Sequence, residues 1–177
     1  MAQSKPSKPD SWFAPPKDGY RSVNLKLDYG NPEIVGEYLL THKSSGVLES
    51  IVTSTEAHSR DRAKSIIAPY GSGKSSLLLV LSALLENRAS MRTVLAKVQK
   101  QISALAPTLT KSVRKLRKEK NGYIVVILSG DEGSLELAFR LALKDAFERR
   151  GLSKLWAKIT TVESIAGFRP MAPSRGP

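Results

Sequence analysis

Residues 62–85 read RAKSIIAPYGSGKSSLLLVLSALL, and three textures follow one another in them. Ser65, Ile66, Ile67 and Ala68 form a short apolar run with the look of a buried strand. A glycine-punctuated turn comes next, with Gly71 and Gly73 two residues apart. Residues 75–86 then carry leucine or valine at almost every register: Leu77, Leu78, Leu79, Val80, Leu81, Leu84 and Leu85. A helix apolar nearly all round is one buried against several neighbours. Strand, tight turn and buried helix in this order give an α/β reading of the fold.

The turn has the composition of a phosphate cradle. Ala68-Pro69-Tyr70-Gly71-Ser72-Gly73-Lys74-Ser75 matches the Walker A pattern from Gly73 onward, with Ala68 in place of the first glycine. A loop wrapped around phosphates must turn successive N–H groups inward, which glycines at positive φ allow. The new helix adds its uncapped N–H groups, including that of Ser76, and the positive end of its dipole. Lys74 is expected to reach the β- and γ-phosphates, and the Ser75 hydroxyl to ligate Mg²⁺. Residues 68–76 are therefore the expected ATP site. The bland alternative is a glycine-rich turn with a solvated lysine. Alanine at the loop entrance would resist a positive φ there.

Outward from the loop, Val23, Leu25 and Leu27 alternate with polar residues as in a short strand. Pro32 opens a helix carrying Ile34, Val35, Tyr38 and Leu39, and a second helix is expected over residues 47–57. Apolar spacing continues through Met91, Val94, Leu95, Val98, Ile102 and Leu105, with a break at Pro107. Residues 123–128, YIVVIL, form the strongest strand signal in the chain. Ser134 caps a helix running to about Arg150, with Leu135, Ala138, Phe139, Leu141, Ala142 and Phe147 on its inner face and Gly151 as its stop. A last helical piece is expected over residues 154–159. The expected fold is thus α/β, a short parallel sheet with helices on both faces.

Hydrolysis needs an acid near Mg²⁺ and another to position water. Asp131 and Glu132, just after YIVVIL, are the candidates, although Ser129 and Gly130 separate them from the strand. Their bland reading is a pair of loop acids that favour the following helix dipole. Arg140, Arg149 and Arg150 are weaker options for a catalytic arginine.

The chain has 177 residues, enough for one domain with a sizeable core. Residues 1–22 read as a flexible, basic, proline-rich lead-in in which Trp12 and Phe13 are the exception; 23–169 form the nucleotide-binding domain and 170–177 a tail. There is no cysteine, which rules out disulfides and thiolate metal sites. No secretory leader is legible, and the longest apolar run is far below the ~20 residues of a membrane span. A cytoplasmic protein without membrane contact is expected. The net charge of +12 favours polyanionic partners. Between residues 88 and 120 the chain carries Arg88, Arg92, Lys97, Lys100, Lys111, Arg114, Lys115, Arg117, Lys118 and Lys120 against the single acid Glu119. Such a run suits a nucleic-acid backbone, or equally a solvated face whose acidic partner is elsewhere.

Residues 62–85 and 123–147 together resemble the N-terminal ATP-binding region of large bacterial ATPases, AAA+-like and anti-phage-defence types among them. The resemblance is loose over residues 23–150 and specific only at the loop. It implies Mg-ATP binding through Gly71, Gly73, Lys74 and Ser75. It also implies that the hydrolytic acid comes much later than Asp131 and Glu132, so that this chain is expected to be a truncated product or one piece of a multi-chain ATPase with protein partners. Two rival functions are a small-molecule kinase and a basic nucleic-acid-binding module with a vestigial nucleotide site.

Overall fold

A computed structural model describes residues 22–56, 58–119, 121–128, 130 and 134–165. Seven α-helices account for the ordered elements: α1 (Pro32–Glu37), α2 (His42–Ser54), α3 (Lys74–Glu86), α4 (Arg92–Leu105), α5 (Pro107–Lys118), α6 (Leu135–Arg149) and α7 (Ser153–Ile165), with a 3₁₀ turn at Ala89–Met91.

Local chemistry sets most helix ends. Asn31 accepts from the amides of Glu33 and Ile34, and Pro32 supplies a preset φ at the start of α1. Thr41 and Ser44 cap α2 reciprocally. A proline restarts the chain as α5 one residue after α4 ends. Ser134 accepts from the Leu137 amide at 3.2 Å at the head of α6. Its tail closes with Gly151 at φ 68°, where the Leu152 amide donates to Phe147 O and the Gly151 amide to Glu148 O.

Helices α1 to α5 enclose one core. Leu48 and Val52 of α2 meet Leu79, Val80 and Leu84 of α3, Leu95 and Ile102 of α4, and Leu109 and Val113 of α5, all fully buried. α3 packs against α1, α2 and α5, as its all-round apolar sequence requires. Burying each of these side chains contributes about 1.5–3 kcal/mol.

The expected α/β fold is overturned: among the described residues there is no strand, so no parallel sheet with helices on both faces. Three strand expectations fail for different reasons. Around Val23 to Leu27 the chain folds into a turn held by side chains. Asp28 is buried and its carboxylate accepts from the Asn24 amide at 2.7 Å, while Asn24 Oδ1 accepts from the amides of Lys26 and Leu27. Residues 65–68 have no ladder, and Ile67 is 93% exposed. Residues 122–128 also lack one. Tyr123 donates to Leu85 O at the end of α3, and Val125 O accepts from Arg149. A sheet needs a neighbour about 4.8 Å away along the whole run, and here helix ends and an arginine take that place.

Smaller corrections concern the helices. α1 stops at Glu37, so Tyr38 is its cap and Leu39 is exposed. α2 begins at His42 rather than residue 47, because the Thr41–Ser44 cap lies there. α6 buries Ala138, Ala146 and Phe147, whereas Leu135, Phe139 and Leu141 point to solvent.

Candidate functional site

The glycine-rich loop forms a tight turn before α3, with no strand leading into it among the described residues. Pro69 O accepts from the Ser72 amide at 3.4 Å, and Gly71, third residue of that turn, has φ 76°. This is the position at which a type II turn demands positive φ. Gly73 has φ 80° and is the N-cap of α3. Ala68 is not among the positive-φ residues, so alanine is no burden at the loop entrance.

No side chain caps α3, which leaves the first N–H groups of the helix without intrahelical acceptors. Lys74, the first helical residue, folds back over the loop. Its Nζ donates to Ala68 O at 2.6 Å and Pro69 O at 2.7 Å, with Ser72 Oγ at 3.5 Å. Ser75 and Ser76 sit half-buried on the same first turn. Tyr70, at the tip, is exposed and shares a 2.6 Å hydrogen bond with Ser22 Oγ. A Cβ built on Gly71 or Gly73 meets nothing within 4 Å, so the mouth of the loop is open. Ala68 to Ser76 thus form one cradle: donors from a helix start, a cation and the hydroxyls of Ser72, Ser75 and Ser76. The Ser75 hydroxyl is a fitting single ligand for a Mg²⁺ whose other ligands are phosphate oxygens and water. Among the described residues no cluster of three metal-ligating side chains occurs.

The arginines offered for catalysis do not join this cradle. Asp131 and Glu132 lie outside the described residues. Arg149 and Arg150 work at the opposite end of α3. Arg150 donates to Glu86 O at 3.1 Å and to Asn121 O, and Arg149 pairs with Asp145. Arg140 lies 4.0 Å from Glu136 on the surface of α6.

A buried polar cluster at that end escaped the sequence reading. Glu86 is 3% exposed and pairs with Arg88 at 2.7 Å. The guanidinium groups of Arg88 and Arg149 lie 5.6 and 4.4 Å from the Tyr29 ring centre. Burial, and then the Glu86 carboxylate, hold the Tyr29 hydroxyl well above its ordinary range against the opposing pull of the two arginines. The available signal was Glu86 itself, the single charge closing an apolar helix. Tyr29 and Arg149 line a cavity of about 220 Å³ with Lys26, Ile127, Leu141, Ala142 and Asp145. A larger one, about 660 Å³, opens between α2, α5 and residues 121–123. Neither is lined by the loop.

Comparison with family models, curated proteins and solved structures gives no significant match. Without a sheet core or a family match, the resemblance to the ATP-binding region of large bacterial ATPases is overturned. Among the described residues no helix is long and apolar enough to cross a membrane.

Proposed function

We propose that the chain binds the triphosphate of Mg-ATP in the cradle of residues 68–76. The observation that carries this reading is Lys74, whose ammonium is held over the loop by the carbonyls of Ala68 and Pro69 beside an uncapped helix start. An anion entering there receives backbone N–H donors, the helix dipole and a cation from one short segment. Phosphate oxygens offer the ammonium charged acceptors in place of neutral carbonyls, and charge-assisted bonds are the stronger kind. The reading concerns binding. Turnover would need an acid supplied from Asp131, Glu132 or another chain.

Titration of the purified chain with fluorescent ATP and Mg²⁺ tests it. Lys74→Ala should weaken binding about ten- to hundredfold, the range of a lost hydrogen bond to a charged group. Gly73→Val should weaken it as well, since a β-branched residue resists φ 80°. Affinity unchanged by Lys74→Ala would rule the cradle out.

A further inference from the structure

We infer that the solvent face of α4 and α5 binds the phosphodiester backbone of a single-stranded nucleic acid, independently of the loop. On α5, Lys111, Arg114, Lys115 and Lys118 follow one another at i, i+3, i+4 and i+7, which places them on one side of the helix. All four are exposed, because Leu109, Val113 and Leu116 turn the opposite side into the core. Lys97 and Lys100 add two exposed cations on the adjoining α4. Neither helix contains an acidic residue.

The contrast with α6 separates this face from an ordinary solvated one. There Arg140, Lys144 and Arg149 each have a carboxylate four residues away. Among the described residues, none of these six exposed cations forms an ion pair. A row of exposed cations held in no ion pair raises the local potential and invites a polyanion. The face also exposes no large apolar side chain, whereas the centre of a protein–protein interface is enriched in them. Nucleic-acid interfaces are the more polar and more positive kind.

A single strand is favoured over a duplex by what lies beside the stripe. Lys115 and Lys118 also line the cavity of about 660 Å³, and the aromatic residue Tyr123 lines it with them. Glu56 and Glu119 line it too, so phosphate is kept to the outer stripe and the cavity suits a base. Only an unpaired base can turn into such a site and lie against an aromatic ring.

Fluorescence anisotropy with labelled 20-nucleotide DNA, RNA and duplex DNA across a salt series provides the test. Six phosphate contacts on a single strand give a log–log salt slope of about −4, and removing four leaves about −1.4. The variant Lys111→Gln/Arg114→Gln/Lys115→Gln/Lys118→Gln should show that drop and lose at least about tenfold in affinity. The charge-matched control Arg140→Gln/Lys144→Gln/Lys154→Gln/Lys158→Gln should keep most of the affinity, and Lys74→Ala should keep all of it. Binding of either DNA or RNA single strands supports the inference. Equal loss in the control, tighter binding of the duplex, or stripe-dependent binding of phosphatidylserine vesicles as tight as that of the strand would overturn it. Because Lys74→Ala is silent here, failure of this surface and failure of the ATP cradle are told apart.

Discussion

The five-helix body and the described residues from 121 to 165 are held by different means. In the body, five helices share one apolar core in which Leu48, Leu84, Leu95, Ile102 and Leu109 have no exposure at all. Beyond residue 121, α6 and α7 pack mainly on each other, with Phe147 tilted against Trp156 at 5.7 Å. The contacts that tie this region to the body include Arg150 to Glu86 O, the Tyr123 amide to Leu85 O, the Tyr123 hydroxyl to Thr55 O and the Arg149 guanidinium over the Tyr29 ring. Four large apolar side chains of α6 stay exposed, Leu135 at 81%, Leu137, Phe139 and Leu141. A core resists the loss of any one polar contact, whereas a polar seam depends on each. The body should therefore set global stability and the seam only local order.

The largest effect is expected inside the body. Leu95→Ala removes a fully buried side chain from α4 and should lower unfolding free energy by about 2–5 kcal/mol in urea titration. A loss below about 1 kcal/mol would mean that this core is not the stabilising unit. An intermediate effect is expected at the seam. A Cβ on Gly122 would lie 2.4 Å from Glu86 O, and φ there is 55°. Gly122→Ala should cost about 1–3 kcal/mol, read by hydrogen exchange as lost protection after residue 121 with α2 to α5 unchanged. Uniform loss would show that the two regions unfold as one. The smallest effect is expected on the exposed face of α6. Leu135→Gln should change stability by no more than about 0.5 kcal/mol while reducing the binding of an apolar dye. A larger destabilisation would place Leu135 in a packed contact.

What the sequence disclosed followed the range of the interactions involved. Helix signals are local, and Pro32, Pro107, Ser134 and Gly151 mark starts and stops where the chain has them. The turn in the loop was legible for the same reason: Gly71 and Gly73 take the positive φ their spacing suggested. Strand pairing is not local. The alternation in Val23 to Leu27 and the β-branched run in YIVVIL describe side chains suited to an extended backbone, yet they do not name a neighbour. In one case Asn24 and Asp28 supplied a competing turn, and in the other helix ends and Arg149 took the contact. The inward face assigned to α6 held at Ala138 and Phe147 but not at Leu135, Phe139 and Leu141, since periodicity says which residues share a side but not what that side meets.

α3 joins the two stories in one rod. It spans thirteen residues, about 20 Å at 1.5 Å each. Its first turn carries the cradle, and its last carbonyls receive Tyr123 and Arg150. Asn87, just past its end, donates to Arg117 O and Glu119 O at the end of the basic helix. One rod thus holds the loop at its head and moors both the seam and the end of the cationic helix at its tail.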